Sequence, residues 1–266
     1  MSVLEPRRYS DLLGDIATEQ IQRALDRFDA GTLIAAEPAP GGLFGQNIML
    51  ETTAGRWVLR GHPHHGMQFP RERYFSRLIS ERTTIAAPWP YHLEDDASIF
   101  GWPYALMPRL PGESIQPAEF PSRPREDRIA IARAYGEGLA ALQQAAWPEH
   151  AWPSGADGSL EPLAKPYAQW YGEWTEYWLG LCVKASDATT ADDLAWARSI
   201  IAGAHDALAV PMQAALVHTD YASGNILLER DENGGWRVTG VVDLADCYLG
   251  DGPAPLPRTS RPLQRI

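Results

Sequence analysis

Apolar positions change their period along this chain, and the change divides it. Ile21, Leu25 and Phe28 recur at helical spacing and predict a helix over 18–28, with Thr18 as its N-cap. Shorter, strand-like runs follow at 32–36, 47–53 and 56–60, with Ala54-Gly55 as the turn of a hairpin between the last two. Tyr74, Phe75, Leu78 and Ile79 form the stripe of a second helix over 71–82, and Pro88 and Pro90 bar its continuation. Further strands are expected at 97–100 and 104–107. Between Pro108 and Asp127 proline and charge cluster, and beyond them helical stripes dominate. Ile131, Tyr135, Leu139 and Leu142 mark a helix over 128–144, and a Trp-rich segment over 166–183 and the run 191–208 read as two more. After Pro211 the pattern becomes strand-like again at 215–217, 226–229 and 236–242. The expectation is an α+β chain of two lobes: a small antiparallel β lobe over 1–108 and a mainly helical lobe over 109–252. No internal repeat is found.

Composition narrows the class. The chain has 266 residues with 45% hydrophobic and 21% charged positions, enough apolar material for a sizeable core and too much for a disordered chain. No stretch approaches the length of a membrane span. The first twenty residues carry acids and no apolar core of a signal peptide, which favours the cytoplasm. Cys182 and Cys247 alone make no disulfide framework. A formal charge of -11 opposes nucleic acid and suits cationic small molecules. His62, His64 and His65 have no accompanying Cys or spaced carboxylate and read as a solvated loop rather than a metal site.

The most informative stretch runs from Val217 to Leu228. His218 stands two before Asp220, and Asn225 five after it. A hairpin follows, with Asp231 to Gly235 as its turn and the Asn233-Gly234 pair as a strong signal for it. Asp243 closes the return arm. Folding the chain back brings Asn225 near Asp243, with Asp220 beside them. A carboxylate and an amide oxygen suit Mg²⁺, which completes its shell with phosphate and water. Phosphoryl transfer needs such ligands together with a carboxylate that accepts the proton of an attacking hydroxyl. The order H-x-D-x-x-x-x-N, hairpin, Asp is that of the kinase catalytic and metal loops. Taken singly, a His in H-x-D also reads as a buried hydrogen-bonded residue, and an Asn after a turn as a cap.

His218-Thr219-Asp220, Asn225, Val242-Asp243-Leu244-Ala245-Asp246 and Gly250-Asp251 together resemble the aminoglycoside phosphotransferase family, nearest in flavour to the hygromycin-type kinases. The resemblance implies a bilobal protein-kinase-like fold and a nucleoside triphosphate, ATP or GTP, as phosphoryl donor, with Mg²⁺. It implies Asp220 as catalytic base, Asn225 and Asp243 as metal ligands and His218 as a residue that positions the loop. In the family a Lys on the strand after the glycine loop holds phosphates; Arg60 stands at that place here. Glu72 matches its acidic partner, with Glu81 as the alternative. Gly41, Gly42 and Gly45 then form the loop over the phosphates, although a plain hairpin turn accounts for them as well. Met107 to Arg109 correspond to the hinge that meets the base. Acids such as Glu113, Asp246 and Asp251 suit the ammonium groups of an acceptor.

The resemblance also sets a departure. Family members continue with helices after the G-D element, whereas Gly252 to Ile266 are rich in Pro and Arg. The expectation is a fold cut short at its C-terminus, a disordered tail over 253–266, and a Trp-rich helix with its apolar face uncovered. Transfer of a γ-phosphoryl to a small-molecule hydroxyl, foremost that of an aminoglycoside, is the leading function. Choline-like alcohols, macrolides and hydroxy amino acids are alternative acceptors, and a non-catalytic nucleotide-binding protein is the competing class. A protein kinase is disfavoured, because no A-P-E segment occurs.

Overall fold

The computed structural model describes residues 7–39, 45–116, 118–145, 147–210, 212–222, 224–232 and 234–254. The chain opens with a small hairpin, β1 (Arg7–Ser10) and β2 (Gly14–Ile16), which sequence periodicity did not reveal because each arm is so short. Helix α1 (Thr18–Asp26) follows, burying Ile21, Ala24 and Leu25. Its N-cap is Ala17 rather than Thr18: the Ala17 N–H donates to Gln20 Oε1 at 2.9 Å, so a side chain inside the first turn satisfies the helix start.

Five strands form one antiparallel sheet in the order β3-β4-β5-β7-β6. They are β3 (Leu33–Pro38), β4 (Asn47–Thr52), β5 (Gly55–Gly61), β6 (His92–Glu94) and β7 (Tyr104–Pro108). The turn Thr52↔Gly55 is the expected hairpin, and it sets Asn47 opposite Arg60. Residues 97–100 are a turn, not the expected strand. Asp96 accepts the Ser98 N–H at 2.9 Å and the Ser98 hydroxyl at 2.7 Å, and Gly101 N–H bonds Ala97 O. An Asp side chain that captures the backbone two residues on turns the chain before a strand can form. One face of the sheet packs with α1 into a core containing Ile48, Leu50, Leu59, Tyr104 and Leu106.

Helix α2 (Gln68–Arg82) crosses between sheet and helices. Its Phe75 and Ile79 are fully buried in a second core with α3 (Arg125–Leu142). Strands β8 (Ala151–Trp152) and β9 (Glu161–Pro162) precede two long helices, α4 (Tyr167–Ala185) and α5 (Ala191–Leu208). Strands β10 (Ala215–Val217), β11 (Ile226–Arg230), β12 (Trp236–Val241) and β13 (Tyr248–Gly250) complete the chain as described. β11 and β12 pair as the expected hairpin, and β13 joins β10 to β8. α3 lies on β12 at Gly138, where a Cβ would come within 2.6 Å of Val238 and 2.8 Å of the Tyr221 hydroxyl.

α4 and α5 pack loosely by contrast. α4 buries Tyr167 and Ala168, and α5 buries no residue among those described. An aromatic ladder runs along α4 from Trp170 to Trp174 to Trp178 and starts against Trp152 and Tyr248. Trp178 is 50% exposed and Trp196 on α5 is 67% exposed. Among the described residues no helix is long and apolar enough to cross a membrane. Most of the tail expected from residue 253 lies outside the described residues. Its first residues are placed, with Ala254 packed near Tyr167 and Tyr248, just after Gly252, whose carbonyl accepts from Gln143 at 2.7 Å.

Candidate active site

The loop after β10 is built on buried anchors. Val217, His218 and Tyr221 are buried, and Tyr221 donates its hydroxyl to Tyr135 O on α3 at 3.0 Å. His218 is locked at both ring nitrogens. Its Nδ1 accepts the Asp220 N–H at 3.3 Å, so Nε2 carries the proton and donates to Val242 O at 3.0 Å. Burial pushes its pKa down, which keeps the ring neutral and this tautomer intact. One side chain therefore ties the loop before the hairpin to the end of the hairpin's return arm.

Asn225 closes the loop. Its Nδ2 donates to Asp220 O at 3.0 Å and to Asp220 Oδ2 at 3.1 Å. Its backbone carbonyl accepts the Val242 N–H at 3.0 Å, which brings Asn225 next to Asp243 as the spacing led us to expect. Asp243 has φ 65°, in the left-handed region that an Asp tolerates at some cost. Leu244, 1% exposed, follows and plugs into the core, so the strained backbone is held by packing on both sides. The Asp243 carboxylate itself stays about half exposed. With its amide nitrogen bonded to Asp220, Asn225 could offer its amide oxygen to a cation, as Asp243 could its carboxylate. Hard oxygens of this kind fit Mg²⁺. No group of three or more His, Cys, Asp or Glu able to hold a metal occurs among the described residues. A cation here would take the rest of its shell from phosphate and water.

Across from this loop lies Arg60 at the end of β5. Its Nη2 is 3.1 Å from Glu72 Oε1 and 3.4 Å from Asp243 Oδ1. Glu72, 2% exposed, is thus no solvated first-turn acid. Burial pushes its carboxyl up, against the charge of Arg60 and the hydroxyl of Tyr91, which donates to Oε2 at 2.7 Å. Burial also works against the charge on Arg60, and Glu72, Tyr91 and Asp243 outweigh it, so the guanidinium stays charged. Glu81, the alternative partner, is instead paired with Arg77 on the exposed side of α2.

The remaining sequence candidates fall around this centre. Gly41 and Gly42 lie outside the described residues. Gly45 has φ 60°, and a Cβ there would come within 2.8 Å of Ser10, whose hydroxyl donates to Gly45 O at 2.6 Å. Met107 is buried on β7 opposite Val58. Arg109 is exposed and its N–H donates to Arg56 O, so that amide is already used. Asp246 is exposed three residues after Asp243, while Asp251 has Oδ1 buried without a hydrogen bond and its carboxyl pushed up by burial, opposed by His150. Glu113 bonds Leu228 through its backbone and leaves its carboxylate exposed near Arg123. Sequence reasoning missed Gln68 and Tyr91, which bond Glu72, and Gln46, which bonds Arg60. The signal for Gln68 was its i,i+4 spacing from Glu72; Tyr91 had none, since it arrives from a distant loop.

These residues sit in a fold with known relatives. The model of the APH phosphotransferase enzyme family matches residues 35–251, and the chain belongs to that family. A homoserine kinase of Caulobacter sp. (strain K31) is 26% identical over 250 residues, 89% of this chain and 68% of that protein. Among solved structures, aminoglycoside phosphotransferase APH(4)-Ia superposes with a TM-score of 0.67 at 18% identity, covering 94% of this chain and 81% of that one. The GDP complex of wild-type aminoglycoside 2'-phosphotransferase-IIIa gives 0.60 at 12% identity, covering 93% and 81%. The fold is bilobal and protein-kinase-like, and the chain is a small-molecule phosphotransferase by class.

Proposed function

We propose that this protein moves the γ-phosphoryl of ATP or GTP to a hydroxyl of a small acceptor that carries an ammonium group. The observation that carries the reading is the convergence of Asp220, Asn225, Asp243 and Arg60 through His218 and the hairpin. The β3–β7 sheet, within a lobe ending near Pro108, covers the nucleotide, with Gly41, Gly42 and Gly45 along the phosphates and Met107 to Arg109 at the base. Arg60, braced by Glu72, holds phosphate oxygens. Asn225 and Asp243 would hold Mg²⁺, which when bound would offset the charge that develops as the phosphoryl moves. Asp220, fixed through Asn225, accepts the proton of the acceptor hydroxyl. His218 touches no reactant and sets the loop. Catalysis is then positioning and charge stabilisation.

An aminoglycoside is the leading acceptor, with exposed Asp246 and the carboxylate of Asp251 facing ammonium groups. The homoserine kinase relative supports a second reading, a hydroxy amino acid, which also carries an ammonium group. Nucleoside diphosphate release, measured with ATP and with GTP against a panel of aminoglycosides, homoserine, choline and a macrolide, tests both. Release stimulated by one class identifies the acceptor, and nucleotide binding without release for any acceptor overturns the catalytic reading. Asp243→Asn should shift the Mg²⁺ dependence of nucleotide binding to the right by on the order of tenfold. A curve overlaying the parent's removes Asp243 from the metal site.

A further inference from the structure

We infer that Gln46 and Tyr91, with Gln68, are positioning residues that form a holder for arginine at position 60. The inference rests on the reading of Arg60 as the phosphate-binding cation. Gln46, Gln68 and Glu72 are each less than 5% exposed, an unusual concentration of polar groups for a protein interior. Their bonds are directed. Both oxygens of Glu72 are occupied: Oε1 by Arg60 Nη2 and by Gln68 Nε2 at 3.3 Å, and Oε2 by the Tyr91 hydroxyl. Gln46 Oε1 accepts from Arg60 Nη2 at 3.4 Å, and its Nε2 donates to His62 O at 2.7 Å. Gln68 Oε1 accepts the His64 N–H at 2.9 Å. The loop leaving β5 is therefore pinned by two buried amides, and these also touch each other at 3.4 Å.

The chemistry favours a guanidinium. Nη2 carries two protons and meets Glu72, Gln46 and Asp243. Gln46 is neutral, so it steers the nitrogen without adding charge that would compete with a phosphate. The hydrogen bonds and ion pairs that tie Arg60 to these residues run through Nη2. A lysine ammonium would offer its donors from a single nitrogen and could not serve the holder and a phosphate from separate nitrogens. Tyr91 acts one step further out: it fixes Glu72, which fixes Arg60. Arg60 Nε is buried without a hydrogen-bond partner, so the position of the guanidinium rests on the bonds made at Nη2.

Calorimetric titration of the full chain with ATP in the presence of Mg²⁺ tests the inference without knowledge of the acceptor. Tyr91→Phe and Gln46→Leu should each weaken binding about three- to tenfold, the scale of one lost hydrogen bond. Arg60→Lys should weaken it as well. In the Arg60→Lys background the effect of either substitution should shrink to less than twofold, because both act through the guanidinium. Parent-like affinity in both single variants overturns the inference. So do losses that stay the same in the lysine background, the mark of a merely structural role. If Tyr91→Phe does not fold, Gln46→Leu decides by the same criteria, since it leaves Glu72 all its donors. A parent chain that binds no nucleotide overturns the functional reading and this inference together; a parent that binds while the variants match it overturns the inference alone.

Discussion

Two antiparallel pairs in the second half of the chain behave in opposite ways. The β11–β12 hairpin is walled in: Ile226, Leu228 and Val241 are fully buried against α3 and the loop of Tyr221. The α4–α5 pair stands out from the body, joined by the bidentate Arg198–Glu176 ion pair, with a groove of about 630 Å³ between the helices lined by Gly172, Glu176, Ile201 and His205. Asn225 and Asp243 flank the first pair and Asp220 lies in the loop before it, whereas the second pair carries none of the residues proposed for chemistry. Side chains that must stay within a fraction of an ångström of each other are set on packed backbone.

The contrast can be attacked from its strongest side. Ile226→Ala empties a fully buried site beside Asn225 and should cost about 2–5 kcal/mol of stability, read as a lower denaturant midpoint. A loss under 1 kcal/mol would mean that the hairpin is not held by packing. Asp220→Ala removes chemistry without removing core and should lower turnover about 10²-fold or more while Mg²⁺-nucleotide affinity stays within a factor of about three. Equal turnover would take Asp220 out of the mechanism.

His218 gives a pH test of the same packed region. Its buried ring has a pKa below the ordinary 6.5. The unfolded chain therefore takes up a proton first as pH falls, and the stability contributed by the neutral ring is whole above 6.5 and lost below it. Parent stability should fall between pH 7 and 5.5, and His218→Gln should fall less over the same interval. Parallel slopes would place the acid sensitivity elsewhere. The smallest effect belongs to the other pair: Trp196→Ala on α5 should change stability by no more than about 0.5 kcal/mol. A loss as large as that of Ile226→Ala would erase the distinction.

The amino-acid sequence by itself determined the local features. Asn233-Gly234 and the flanking apolar runs specify the β11–β12 hairpin, and helical stripes specify α2 to α5, because turn chemistry and apolar period act over a few residues. The spacing of His218, Asp220, Asn225 and Asp243 was legible for the same reason: one hairpin is enough to bring them together. Tertiary structure alone decided the rest. β6 and β13, three residues each, exist only because β7 and β10 lie alongside. Arg60 and Glu72 acquired partners that no spacing announces, with Tyr91 arriving from beyond α2 and Gln46 from the residue before β4. A buried polar group is satisfied by whatever donor the folded chain brings within about 3 Å, and that distance is set by packing rather than by position along the sequence.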